Sequence, residues 1–259
     1  MQLTADWYRE KSRGGFAWST SFTYSYNKNE VTSVENPAAR AYELTNNPYR
    51  VGYPSSAIWS YRFAGISDKE GEKGQTLWYG DNDVVKHSVQ GNSIDILEYS
   101  GQKDPVTVMG MDNRFSFKNF SLSILMAYYG GHKMRAQIQE ETMGMTTQAI
   151  PSYFVDAWTP EKPTNVPGIG RYSSTSKGPE SYTSNISVHD ADFLKIRNIV
   201  YGYDVHERWL KSTGLNRATI RFQIDNPKAL WVKNKIGVDP ETLGLRNPSS
   251  FILGININL

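Results

Sequence analysis

The chain has 259 residues, enough for one large domain or two small ones, and its 28 basic residues nearly balance its 26 acidic ones, which excludes the clustered basic excess of a nucleic-acid-binding protein. There is no cysteine, so disulfide staples and thiol chemistry are excluded. A mean hydropathy of −0.54 and a longest apolar run of only "ILMAYY" (124–129) exclude a transmembrane helix but not a membrane-spanning strand, half of which faces water.

The N-terminus, "MQLTADWYRE", lacks the basic start and the apolar core of about 7–15 residues that mark a signal peptide. It already reads as a strand, with Leu3, Ala5 and Trp7 on one side and Gln2, Thr4 and Asp6 on the other. A strand that begins with the chain suggests the later part of a longer protein. Next comes "GFAWSTSFTYSYNKN" (14–28), where Phe16, Trp18, Thr20, Phe22, Tyr24 and Tyr26 alternate with Ala17, Ser19, Ser21, Thr23, Ser25 and Asn27. Successive side chains of a strand point to opposite faces, so one face is mostly aromatic and the other small and hydroxylic. A membrane-spanning strand needs about 9–11 such residues. A strand of a soluble sandwich also alternates, so this stretch alone does not name the solvent.

"MGMDNRFSFKNFSLSILMAYY" (109–129) reads as a hairpin with a two-residue turn at Lys118–Asn119. That turn pairs Phe117 with Phe120, Phe115 with Leu122, Met111 with Met126 and Met109 with Tyr128 on one face. Ser116 with Ser121, Arg114 with Ser123 and Gly110 with Ala127 share the other, and only Asn113 and Leu125 are out of place. In "ADFLKIRNIVYGYDV" (191–205) the phase slips, which predicts a β-bulge near Arg197–Asn198. "ATIRFQID" sets Ala218, Ile220, Phe222 and Ile224 against Thr219, Arg221, Gln223 and Asp225, and "FILGININL" sets Phe251, Leu253, Ile255, Ile257 and Leu259 against Gly254, Asn256 and Asn258.

Seven long strands follow, at about 2–8, 16–26, 107–117, 120–129, 193–203, 218–225 and 251–259. Connections 9–15, 118–119 and 204–217 are short, whereas 27–106, 130–192 and 226–250 are long and polar. Long loops at one end and short turns at the other are the pattern of an outer-membrane barrel, with extracellular loops and periplasmic turns. Tyr24, Tyr26, Tyr128 and Tyr129 lie where strands enter the long loops, as an interfacial aromatic girdle requires. Seven strands do not close a bacterial barrel, and an open sheet leaves unsatisfied edges in hydrocarbon, so the expected fold is an all-β antiparallel transmembrane β-barrel fragment.

Several stretches resemble one family, the SusC/RagA-type TonB-linked outer-membrane transporters of Gram-negative bacteria. "FAWSTSFTYSYNKNEV" resembles its S-Y-N-K-N-x-V strand end, and "VGYPSSAIWSYRFAGI" (51–66) its G-x-P…Y-x-Y-x-G-I segment. "DNRFSFKNFSLSILMAYYGGHKM", "DADFLKIRNIVYGYDV", "QIDNPKALWVKNKIGVDPE" and "NPSSFILGININL" resemble later family segments, in family order. Nothing resembles a plug domain, the last residue is Leu259 where an aromatic is common, and "DNPKALWV" departs from the family's usual run. The resemblance implies that residues 1–259 are the C-terminal portion of a plugged barrel of about 22 strands, without the plug domain. It further implies TonB-energised import of oligosaccharides or peptides, outer-membrane lipid around the wall, and a SusD-like surface lipoprotein as lid.

No catalytic constellation, metal site or cofactor motif is read, and the chain is not expected to be an enzyme. His87, His132, His189 and His206 are scattered, without metal-ligand spacing. "DKEGEKG" (68–74) and "DND" (81–83) lack calcium-loop spacing, "GIG" (168–170) lacks a strand–helix context, and the pairs Asp190/Asp192 and Glu140/Glu141 read as solvated loop charges. The candidate site residues face the lumen: Asp112, Arg114, Lys195, Arg197, Arg221, Gln223 and Asp225 are expected to contact plug or cargo, or to solvate the wall, with Arg221 pairing Asp225. Loop aromatics Tyr49, Tyr53, Trp78, Tyr79 and Tyr153 suit stacking on sugars or peptides, while Trp59 and Trp158 suit loop cores. The alternative is a soluble or surface-exposed β-rich carbohydrate-binding module, whose aromatic faces would pack against each other. Exposure of Phe16, Trp18, Phe22, Phe115, Phe120 and Leu122 on one surface separates the two.

Overall fold

The computed structural model describes residues 1–9, 15–87, 91–136, 155–167, 183–211 and 214–258. Its strands are β1 (Gln2–Arg9), β2 (Phe16–Tyr26), β3 (Ala57–Tyr61), β4 (Phe63–Ile66), β5 (Thr76–Tyr79), β6 (Val85–Lys86), β7 (Leu97–Gln102), β8 (Thr107–Phe117), β9 (Phe120–Gly130), β10 (Lys133–Arg135), β11 (Val188–Asp190), β12 (Phe193–Asp204), β13 (Arg217–Asp225), β14 (Trp231–Val232) and β15 (Ser250–Asn258). All seven long strands expected from the alternation are present, with ends within one residue of those expected. They form one antiparallel sheet in the order β1-β2-β8-β9-β12-β13-β15, with β14 added beside β12.

Register follows the hydrophobic pattern, because a slip of one residue would send every apolar side chain to the polar face. The Lys118–Asn119 turn pairs Phe117 with Phe120, as the sequence dictates, with Lys118 at φ 54° closing the tight connection. Trp18, Phe115, Leu122, Tyr201, Phe222 and Leu253 form one row across six strands. The next row runs Ser19, Arg114, Ser123, Val200, Gln223 and Ile252, on the opposite face. The pairing of β9 with β12 jumps between Ile196 and Asn198, so the predicted bulge falls on Arg197. Lys195 and Arg197 therefore stay on the polar face while Ile199, Tyr201 and Tyr203 turn to the apolar one.

The long connections are more structured than their polar composition suggests. Segment 27–106 holds the β3–β7 pair, the β4-β5-β6 sheet and the helix α1 (Ala41–Asn46). Ala41, Leu44, Ala57, Trp59, Tyr61, Ile96 and Leu97 make a buried cluster there. Arg135 of β10 ties it to the 184–187 turn: Nη1 donates to Ser184 O at 3.1 Å and Ser187 Oγ at 3.0 Å, and Nη2 to Trp59 O at 2.9 Å and Ser60 Oγ at 3.2 Å. The hydrophobic core thus lies at the long-loop end and not against the aromatic stripe.

Candidate functional site

The apolar face of the sheet is open. Phe120 is 61% exposed, Leu253 69% and Phe251 68%, and Phe16, Phe22, Phe117, Tyr201 and Phe222 are exposed as well, with Trp18, Phe115 and Leu122 partly so. A sandwich would bury these rings between two sheets, so the alternative of a packed soluble module fails on this observation. The rings pack sideways along the sheet: Trp7 against Trp18 at 4.6 Å between centroids, Trp18 against Phe115 at 5.8 Å, and Phe120 against Tyr203 at 4.8 Å. Asn113, the polar residue on this face, is buried and accepts a hydrogen bond from Trp18 Nε1 at 3.4 Å.

The girdle needs one correction. Tyr24, Tyr26 and Tyr128 lie on the apolar face, but Tyr129 does not, because adjacent strand residues point oppositely. Its ring stacks on Phe193 at 5.0 Å on the polar face. Trp231 takes the place beside Tyr128, stacked at 6.5 Å and exposed, by virtue of β14 pairing with the start of β12. Sequence reasoning passed over it because "DNPKALWV" does not alternate for long enough to read as a strand.

All seven residues expected to face a lumen lie on the polar face of the sheet. Asp112 accepts from Arg114 Nη2 at 2.8 Å and from Ser123 Oγ at 3.3 Å. Gln223 Nε2 donates to Asp225 Oδ1 at 2.8 Å. Arg221 does not pair with Asp225, since four residues along a strand span about 13 Å; it has no ion pair among the described residues. Instead Arg221 and Arg114 flank a depression of about 440 Å³ floored by Ser19, Ser121, Ser123 and Gly202. Lys195 and Arg197 bind Asp239 and Glu241 of the β13–β15 connection. Those two carboxylates were missed, although they stand in the quoted "GVDPE" stretch. Burial opposes the charge on Glu241, but hydrogen bonds from Lys195 and Arg197 outweigh it and hold that carboxyl below its ordinary range.

Among the loop aromatics, Tyr49 is exposed and Tyr53 lies against Trp59 and Tyr99 at 4.6 and 5.2 Å. The Arg50 guanidinium sits 5.3 Å from the Trp59 ring and that of Arg62 5.3 Å from the Tyr79 ring. Trp78 is a correction: at 2% exposed it is a loop core residue, packed against Phe63, and cannot meet a ligand there. Trp59 and Trp158 are buried, as expected of loop cores, and Tyr153 lies outside the described residues. Beside them is an ionic cluster in which Lys133 reaches Asp190 at 2.7 Å and Lys233 reaches Asp190 and Asp192 at 3.2 and 3.3 Å. The Lys133 hydrogen bond, opposed by burial, lowers the Asp190 carboxyl; burial lowers His132 and His189 against their aspartate neighbours.

A long-stranded sheet, apolar on one face and polar on the other with loops massed at one end, has the pattern of a membrane-barrel wall. TonB-dependent receptor P3 of Formosa agariphila is 24% identical over 94% of this chain, and TonB-dependent receptor SusC of Bacteroides thetaiotaomicron is 22% identical over 93%. The chain is similar to the SusC/RagA-type TonB-dependent receptors along almost its whole length. In fold, a solved RagAB peptide transporter chain superposes over 99% of this chain with a TM-score of 0.75, at 22% identity. The chain spans 25% of the P3 receptor, 24% of SusC and 28% of the RagAB chain. No protein-family model matches it. The SusC and P3 relatives bear receptor names rather than enzyme names, in agreement with a chain read as non-catalytic.

Proposed function

We propose that the chain is the C-terminal part of the wall of a TonB-dependent transporter in the outer membrane of a Gram-negative bacterium. The observation that carries this reading is the two-faced sheet, whose aromatic side lies open while its polar side bears the ionic and hydroxylic groups. β1 and β15 are each paired along one edge only among the described residues. Unpaired edges are not viable in hydrocarbon, so further strands complete the wall, in a barrel of about 22. The long-loop end is extracellular and the short turns are periplasmic. Asp112, Arg114, Arg221, Gln223 and Asp225 line the cavity and meet the plug or the cargo, the plug being supplied by the rest of the protein. Tyr49, Tyr53 and Tyr79 meet cargo at the extracellular mouth, under a SusD-like lipoprotein lid. The cargo is a peptide or an oligosaccharide; the fold shared with a transporter named for peptides favours the first.

Spin labels at Ile124 and Ser123 test the reading in the barrel that carries this chain. Dissolved oxygen relaxes the Ile124 label more strongly than a water-soluble nickel chelate does, and the Ser123 label shows the reverse. Equal accessibility at both sites removes the lipid-facing assignment. Import of a fluorescent peptide pool that stops in cells lacking TonB supports the peptide class; TonB-dependent import of labelled oligosaccharides alone overturns it.

A further inference from the structure

The connection between β13 and β15 does not simply arch over the long-loop end. It first returns to the sheet as β14, beside Phe193 and Leu194 of β12, and then crosses back to β15, the neighbour of β13. On that return, residues 239–241 lie against the inner face of β12. Lys195 Nζ donates to both carboxylate oxygens of Asp239 at 2.8 Å and to Glu241 Oε2 at 2.9 Å. Arg197 Nη1 donates to Glu241 Oε1 at 2.6 Å. The Lys195 and Asp239 side chains are only 9% and 8% exposed, so this pair is shut off from water.

The bulge makes the arrangement possible, because it keeps both cations inward where the strand changes phase. Each cation also lies near a ring of the same face: Lys195 Nζ is 5.0 Å from Phe193 and the Arg197 guanidinium 5.5 Å from Tyr129. The carboxylate-bearing turn is stiffened from within. Glu241 N donates to Asp239 Oδ1 at 2.9 Å, Leu243 N to Asp239 O at 2.9 Å, and Asp239 N to Gly244 O at 3.0 Å. Leu243 is held at φ 56°, a left-handed conformation that a leucine rarely adopts without such support. Two stretches far apart in sequence, "FLKIRN" (193–198) and "GVDPE" (237–241), thus bind each other.

We propose that Lys195, Arg197, Asp239 and Glu241 form a buckle that holds segment 233–249 as a strap across the inner wall. The passage is then lined at its long-loop end by the strap rather than by β9 and β12. Stripping a buried charge of its partner is strongly unfavourable, so the strap stays down while all four groups are present. The proposal rests on the barrel reading above.

The test uses the whole protein that carries this chain, with trypsin cleavage after Lys233, Lys235 and Arg246 followed by mass spectrometry. Heat-modifiable migration reports the assembled barrel in parallel. Arg197→Gln and Glu241→Gln each speed cleavage at least about tenfold, and the double variant speeds it by less than the product of the two, as contact between the two side chains requires. Asp239→Asn, which keeps the shape and removes the charge facing Lys195, speeds cleavage in the same way. Unchanged cleavage in the single variants of a folded barrel overturns the buckle, as does a double variant whose effect is the full product of the two singles. An unmodified protein without a heat-modifiable band fails differently, by overturning the barrel reading itself.

Discussion

Phe222→Arg should destabilise the barrel by about 2–4 kcal/mol, while Gln223→Arg, one residue along, should stay within about 0.5 kcal/mol. The difference comes from place. Phe222 lies on the apolar face between Tyr201 and Leu253, and Gln223 on the inner face between Val200 and Ile252. Phe222 is the sixth residue of β13, which starts at Arg217. Five steps of about 3.3 Å, on a strand tilted by about 40°, put it roughly 13 Å above the strand's short-turn end, near the middle of an apolar band about 25 Å tall. Leu122 lies in the same row but only two residues past the start of β9, so Leu122→Arg should cost less, toward the ~0–1 kcal/mol found near the interfaces. The assay is urea unfolding of the full barrel in liposomes, read as the fraction retaining heat-modifiable migration. A Gln223→Arg barrel less stable than the Phe222→Arg one would refute the face assignment and, because register is shared across the sheet, the lipid-facing account of the whole stripe.

The loop layer should weaken in mild acid. Burial lowers His132 and His189 below the ordinary histidine value of 6.5, so an unfolded loop takes up protons there that the folded one refuses, and stability is lost as pH falls below about 6.5. Hydrogen exchange of β10 and β11 should therefore quicken between pH 7 and about 5 after correction for intrinsic rates, and His132→Asn with His189→Asn should flatten that slope; an unaltered slope counts against the buried histidines. Arg135→Met should release the 184–187 turn from Ser60, at a cost of about 2–3 kcal/mol for hydrogen bonds to a charged donor, read as roughly 30–150-fold faster exchange in β3 with the long strands unaffected. Equal exchange in wild type and variant would mean that the guanidinium holds nothing.

The seven long strands were legible because a strand with different solvents on its two faces writes a period of two into its sequence. The same pattern fixed the Lys118–Asn119 turn and located the bulge, since "LKIRNIVYGY" cannot keep its apolar residues on one side without an extra residue near Arg197. Asn113 looked like an error in that pattern, and the Trp18 indole is the reason it is tolerated. Tyr129 misled for the opposite reason. An aromatic beside Tyr128 suggests a girdle, yet alternation alone forbids both from facing lipid.

The loops were illegible because their residues are chosen by tertiary contact and not by a repeating environment. Trp78 looks like a ligand platform in sequence; only the fold of β4 and β5 reveals that Phe63 packs edge-on beside it and closes it off. "AIWSY" (57–61) is buried at all five positions, so it carries no alternation to separate it from an apolar loop. The inner wall falls between these cases. Periodicity placed Lys195 and Arg197 on the polar face, but it could not supply their partners, which lie 44 to 46 residues away. A free cation on a lumen wall invites a reading as cargo contact. Lys195 and Arg197 are already satisfied by Asp239 and Glu241, and Arg114 by Asp112, which leaves Arg221, beside the small-residue depression, as the cation of this set that has no ion pair among the described residues.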